Sequence, residues 1–290
     1  MIQDPILRDA LAQIKQISEQ EGHPVVTLSV MHTQKVAQKT NHSLLDVEIA
    51  ALKMGIVPTR YQRNLPTISV QEQVKLLQSC ITIVGCGGLG GTIIEQLARL
   101  GIGHLVLVDG DIFNESNLNR QLLSHQSNLG QLKAQAAAAR IKKINASIQT
   151  QTYSQFANSS NIQKIIQKTD LVIDALDNIP ARFTLQQACR NTEIPLIHGA
   201  VNGFNGQVST IFPNDKGFEG IYGPAERYQE KETDDKMPKL SVTAMTPTLI
   251  AALQAQEALK VLLKKGQPLQ NKLLFISLEE NEFNILPLEK

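Results

Sequence analysis

With 290 residues, 42% apolar content and a net charge of +1, the chain is long enough to bury one sizeable core plus a smaller appendage. Near-neutral charge argues against a dedicated nucleic-acid binder, which carries a basic excess, and three cysteines exclude a disulfide framework. The amino end has no basic-then-apolar signal and no apolar run approaches roughly twenty residues, so the sequence points to a cytoplasmic protein without a membrane span.

Pro5 to Glu19 has helical spacing, with Ile6, Leu7, Leu11, Ile14 and Ile17 on one stripe, and Thr33 to Lys39 and Ser43 to Met54 read as shorter helices joined at Thr40-Asn41-His42. Two short helices around a tight turn invite a DNA-binding reading. Seven Lys and Arg against six Asp and Glu over residues 1–65 supply too little charge for it. The expectation is a small helical region, residues 1–58, that docks on the main domain, a dimer mate or a substrate protein. Pro58 and Pro66 mark its boundary with a main domain over residues 59–290.

Ile81 to Val84 form a short apolar run that ends in Gly85, Gly87, Gly88 and Gly90 and passes into a helix through Leu100. Glycines in a strand-turn-helix let a phosphate approach the backbone, and the amides opening the helix direct partial positive charge at an anion. The same glycines can instead serve helix-sheet packing. Asp109, closing the apolar run His104 to Val108, lies roughly twenty residues beyond the turn, where an acid accepts ribose hydroxyls. Asp111 could equally cap the segment after the strand; the strand end favours Asp109 for the ribose.

A nicotinamide-dependent dehydrogenase fits equally well up to this point. Ser116-Asn117-Leu118-Asn119-Arg120-Gln121 then adds an amide and a guanidinium, and Gly130-Gln131-Leu132-Lys133 a lysine at the start of a helix through Ile144. Arg120 and Lys133 suit a triphosphate attacked at its α-phosphorus, where negative charge grows on the phosphoryl oxygens and on pyrophosphate. The dipole disfavours a lysine in the first turn of a helix, and a phosphate there would offset that. Asp170 to Asp174 is another strand, followed by Ala175-Leu176-Asp177-Asn178. Asp177 is placed to hold Mg²⁺, which uses one or two carboxylates plus phosphates, while Asn178 caps the helix beginning near Pro180.

Ile194 to His198 and Gly206 to Phe212 read as two more strands, the second half-exposed, which makes the sheet mixed. Pro213 to Lys239 is rich in Gly, Pro and charge, a connection of a length that is usually functional or disordered. Pro247 to Lys264 forms a long helix, and Lys272 to Leu278 with Glu282 to Leu286 an antiparallel pair. The fold class is therefore α/β, a Rossmann-like doubly wound mixed sheet with helices on both faces, preceded by a small helical N-terminal region.

The glycine turn GCGGLG, the VDGD strand end, SNLNRQ, the Gly-x-x-Lys helix start and the Asp-Asn pair, in that order, resemble the ThiF/MoeB/HesA family of E1-like adenylyltransferases. The likeness runs from about Arg60 to the carboxyl end. It implies ATP and Mg²⁺ as cofactors, Gly88 for close phosphate approach, Asp109 for ribose, Asn117, Arg120 and Lys133 for the triphosphate, and Asp177 for magnesium and catalysis. It also implies that Arg63 reaches into a partner subunit's site, hence a homodimer. The expected substrate is a small ubiquitin-like sulfur carrier protein of the molybdopterin or thiamine type, whose C-terminal Gly-Gly carboxylate attacks ATP to give an acyl-adenylate. In the resemblance, residues 213–239 correspond to the crossover loop over which the carrier's tail threads.

Two features depart from the family pattern. The paired Cys-x-x-Cys motifs that hold zinc in many members are absent, so no zinc site is expected. Phe212 to Thr246 contains no cysteine, so adenylation is expected without a catalytic thiol. Rival readings are a nicotinamide-dependent oxidoreductase, for which no hydride-transfer module is evident, and a non-catalytic nucleotide-binding scaffold.

Overall fold

The computed structural model describes residues 4–20, 23–231 and 241–288. Asp4 caps the first helix, α1 (Pro5–Ile14), by accepting from the Ile6 amide at 2.8 Å. Strands β1 (Gln16–Gln20) and β2 (His23–Leu28) pair antiparallel, with Ile17 opposite Val26. The helix expected over Pro5 to Glu19 thus ends early. Its apolar stripe stops being useful at Ile14, and Ile17 lies exposed on the hairpin.

Helices α2 (Val30–Thr40) and α3 (Leu44–Lys53) come next, each opened by a serine side chain, Ser29 and Ser43. Asn41 takes the left-handed conformation that ends α2. β3 (Val57–Pro58) joins β2 in parallel, so the amino-terminal unit is three helices around a three-stranded sheet rather than helices alone. Leu7, Leu11, Leu28, Val36 and Val47 fill its core. A short 3₁₀ helix (Thr59–Asn64) leads to α4 (Val70–Gln78), whose Ser69 and Glu72 form a reciprocal capping box. Leu45, Leu52, Val57, Tyr61 and Leu77 make a shared cluster, so apolar packing runs across the expected boundary at residue 58.

The main sheet begins at β4 (Cys80–Val84), then α5 (Gly88–Leu100), β5 (His104–Val108), α6 (Lys133–Ile144) and β6 (Gln149–Tyr153). The chain next crosses back through α7 (Ile162–Ile166) to β7 (Leu171–Asp174), α8 (Ile179–Asn191), β8 (Leu196–Asn202) and β9 (Asn205–Ile211). Two short helices, α9 (Phe218–Tyr222) and a 3₁₀ turn (Ala225–Lys231), occupy much of the connection expected to be structureless. The rest of its charged run, residues 232–240, lies outside the described residues. α10 (Met245–Leu263), β10 (Lys272–Ser277) and β11 (Glu282–Pro287) complete the chain.

Strand order is β11-β10-β9-β8-β7-β4-β5-β6, parallel from β6 to β8 and antiparallel beyond, which makes the sheet mixed as expected. Ile93, Leu97, Ile141, Ile250 and Ala258 pack one face under α5, α6 and α10; Ile162, Ile166, Leu185 and Ala188 pack the other under α7 and α8. The chain leaves β4 toward β5 on one side and returns to β7 on the other. A crevice opens at the carboxyl ends of strands that diverge in this way.

Candidate active site at the β4–β7 switch point

The carboxyl ends of β4, β5 and β7 carry the glycine turn, Asp109 and the Asp174–Asn178 loop. Gly85 has φ +100°, and a Cβ there would lie 2.4 Å from the Ala175 carbonyl oxygen. A Cβ on Gly90 would meet the Gly85 carbonyl oxygen at 1.8 Å. These two glycines let the turn fold on itself and against the β7 loop, as helix-sheet packing requires. Gly88 differs: the nearest atoms to a Cβ there are Pro247 Cβ at 3.6 Å and Arg120 Cγ at 3.9 Å, ordinary contact distances. Gly87 faces the Gln121 amide, whose buried Oε1 lacks a partner among the described residues.

Asp109 anchors this turn. Its Oδ2 accepts from the Cys86 amide at 2.7 Å and its Oδ1 from the Asp111 amide at 2.8 Å. Burial pushes its carboxyl upward despite these two amides and nearby Lys133. The sequence suggests for Asp111 only a capping role. In the structure Asp111 is the counterion of Lys133, whose buried Nζ donates to Asp111 Oδ2 at 2.5 Å. Burial raises the Asp111 carboxyl, but hydrogen bonds from Lys133 and the Ile112 amide outweigh it, and the net direction is downward.

Asn117 is buried and its Oδ1 accepts from the Asn114 amide at 3.0 Å, so the side chain shapes the 115–121 turn. Arg120 lies beside Gly88, its Nη1 donating to the Ser116 carbonyl at 3.0 Å and to Asn119 Oδ1 at 2.8 Å. Asp177 is exposed; its Oδ1 accepts only a 3.4 Å contact from Asn178 Nδ2, while Asn178 Oδ1 caps α8 through the Ala181 amide at 2.9 Å. The expected cap by Asn178 is present, and Asp177 faces outward. Arg63 is exposed on the 3₁₀ helix and makes no hydrogen bond or ion pair among the described residues.

Asp177, an exposed carboxylate, could hold Mg²⁺ on a nucleotide's phosphates, which calls for only one or two carboxylates. Among the described residues no three His, Cys, Asp or Glu side chains gather as a dedicated metal cage. Burial raises the thiols of Cys80, Cys86 and Cys189, which disfavours the thiolate at each.

Sequence reasoning missed a buried polar group behind the β7 loop. Asp174 at the end of β7 accepts from Arg182 Nε at 3.2 Å and from His198 Nδ1 at 2.7 Å. A signal for it exists, since Asp174, Arg182 and His198 are polar residues at otherwise apolar strand and helix positions.

Residues 60–290 match the model of the ThiF family. The chain belongs to the ThiF family. It is 34% identical over 230 residues to the SAMP-activating enzyme E1 of Haloferax volcanii, covering 79% of this chain and 84% of that one. It is 32% identical to the sulfur carrier protein adenylyltransferase of Thermus thermophilus, over 80% of this chain and 87% of that one. Among solved structures, E. coli MccB with ATP superposes with a TM-score of 0.70 over all of this chain and 89% of that one at 19% identity, a likeness of fold. This ThiF-family chain therefore shares its whole architecture, amino-terminal unit included, with a solved protein. No helix among the described residues is long and apolar enough to cross a membrane.

Proposed function

We propose that this ThiF-family protein is a cytoplasmic, ATP- and Mg²⁺-dependent adenylyltransferase that activates the C-terminal Gly-Gly carboxylate of a small ubiquitin-like sulfur carrier. The observation that carries the reading is the glycine turn at the carboxyl edge of the sheet, where Gly88 is unobstructed and Arg120 lies beside it. Family membership, together with a SAMP-activating enzyme E1 and a sulfur carrier protein adenylyltransferase as relatives above 30% identity, supports the same chemistry.

The carrier's carboxylate oxygen attacks the α-phosphorus of ATP, and the bond to the β-phosphate oxygen breaks to release pyrophosphate. Gly88 gives the phosphates access to the backbone at the start of α5, whose free amides favour anions. Arg120 and Lys133 stabilise the charge that grows on the phosphoryl oxygens and on the leaving group. Asp109 accepts the ribose hydroxyls while it holds the turn, and Asn117 keeps the Arg120 segment in shape. Asp177 would hold Mg²⁺ together with phosphate oxygens, and the ion, when bound, would supply charge neutralisation to the triphosphate. Arg63, exposed and without a partner among the described residues, serves the second subunit of a homodimer. Burial of Cys86 and Cys189 supports transfer of the acyl-adenylate to a sulfur donor over a thioester at either position.

The test is incubation with ATP, magnesium and a Gly-Gly-tailed carrier, followed by mass spectrometry of the carrier. An added AMP is expected with the wild type and absent with Asp177→Ala of unchanged thermal stability. Full adduct formation by that variant would remove Asp177 from the chemistry.

A further inference from the structure

Arg182, in the second turn of α8, is buried, and its guanidinium serves four acceptors in separate parts of the chain. Nε donates to Asp174 Oδ2 at 3.2 Å, Nη1 to Tyr222 Oη at 3.1 Å, and Nη2 to the Leu176 carbonyl at 2.6 Å and the Gly199 carbonyl at 3.5 Å. Leu176 precedes Asp177 by one residue. Tyr222 ends α9, within the connection that leads over the sheet. One rigid planar cation thus ties the Asp177 loop to that connection.

The surrounding bonds leave the arrangement little freedom. Asp174 Oδ1 accepts from the Leu176 amide at 2.9 Å, so the loop is gripped at both polar atoms of Leu176. Gln254 Nε2, from α10, donates to the Asp174 carbonyl at 2.7 Å. On the other side, Tyr222 Oη lies 3.0 Å from His198 Nε2 and accepts from Gln207 Nε2 at 2.8 Å. Tyr228 Oη donates to the Tyr222 carbonyl at 2.9 Å, and its ring stacks on Phe183, the neighbour of Arg182. Burial holds the His198 imidazole below its ordinary range, so the ring is neutral, donates from Nδ1 to Asp174 and accepts at Nε2. Arg182 is then the cation that balances Asp174.

We infer that Arg182 is a positioning residue for Asp177, and that through Tyr222 it makes the geometry of the Asp177 loop depend on the seating of the 218–228 segment. The inference rests on the proposed role of Asp177 for its catalytic meaning, but the mechanical coupling itself does not. Lysine at position 182 would keep the charge on a single nitrogen and could not reach Asp174, the Leu176 carbonyl and Tyr222 together. Removing the Tyr222 hydroxyl leaves Arg182 Nη1 without its partner and obliges the guanidinium to shift.

The experiment is amide hydrogen exchange on the full chain without nucleotide or carrier, comparing the wild type with Arg182→Lys and the milder Tyr222→Phe. Exchange is expected to quicken at least about tenfold in both 175–178 and 218–228 in Tyr222→Phe, with β5 and α5 unchanged, a pattern that general destabilisation does not produce. Faster exchange in 218–228 alone, or a uniform rise over the whole chain, would overturn the inference. In adenylation assays of the same variants, kcat should fall at least about tenfold while KM for ATP changes less than about threefold. If no variant and no wild type adenylates a carrier, the proposed function fails while the exchange result still decides the coupling.

Discussion

Lys133 donates to Asp111 across 2.5 Å, joining the first turn of α6 to the end of β5. A lysine at a helix amino terminus is opposed by the dipole, and Asp111 offsets that before any phosphate arrives. The lysine is therefore held in place, largely out of water, beside the glycine turn. Asp111 is the more exposed partner, with 45% of its side chain accessible against 7% for Lys133, so it stays solvated if the lysine is lost. Lys133→Ala should lower the adenylation rate about a hundredfold or more, the scale of one lost charge-stabilising donor. Its stability should fall by no more than about 1–2 kcal/mol, since the buried stem of the lysine is lost while Asp111 stays in contact with solvent. Urea unfolding and steady-state kinetics on one preparation check both.

The glycines of the turn should separate by role. Gly90→Ala forces a Cβ into the Gly85 carbonyl at 1.8 Å, backbone against backbone, and is expected to lower the unfolding midpoint sharply or abolish soluble expression. Gly88→Ala meets nothing nearer than 3.6 Å and should fold with stability within about 1 kcal/mol of the wild type, yet lose most of its ATP affinity by calorimetry. Equal ATP affinity in a folded Gly88→Ala protein would move the phosphates elsewhere.

His198 gives the protein a pH signature. Burial first, then the charge of Arg182, hold its pKa below the ordinary 6.5, against the pull of Asp174. As pH falls below 6.5 the unfolded chain takes up this proton before the folded one. Stability present above that pH is therefore lost as pH drops toward the folded value, by up to about 1.4 kcal/mol per pH unit. The wild-type advantage over His198→Asn should accordingly shrink as pH falls from 7 to 5 in denaturant titrations. A constant gap would mean that folding leaves the proton affinity of the ring unchanged, and a gap that widens toward pH 5 that the fold holds the ring protonated.

Arg63 and Asp177 are predicted to serve one site from two subunits. Arg63→Ala and Asp177→Ala, each inactive alone, should regain partial activity when mixed and allowed to exchange subunits. Hybrids that form, as native mass spectrometry can establish, and remain inactive would show that Arg63 acts within its own chain or not at all.

Much of the main domain is legible in the sequence because its strands are buried on both faces: ITIV, HLVLV and LVID are apolar runs, and each leads into a turn at the carboxyl edge of the sheet. Strand β6 escapes such a reading because Gln149–Tyr153 is a polar, mostly exposed edge with no apolar run. The first strand of the β1–β2 hairpin reads as helix because Ile14 and Ile17 continue a helical spacing by chance, and pairing with β2 overrides it. Asp109, Arg120, Lys133 and Asp177 stand out from sequence as a set. That Asp111 neutralises Lys133, or that Arg182 ties Leu176 to Tyr222, is not legible there, because those pairings join residues that only the fold makes neighbours.

The most direct measurement is exchange of labelled pyrophosphate into ATP, with magnesium and a Gly-Gly-tailed carrier. Adenylate formation is reversible at the enzyme, so label should enter ATP only when the carrier is present with its terminal carboxylate free. Carriers with an amidated or truncated tail should give none. Absence of exchange with every such carrier, in folded protein that binds ATP, would contradict the claim that the crevice joins a peptide carboxylate to AMP.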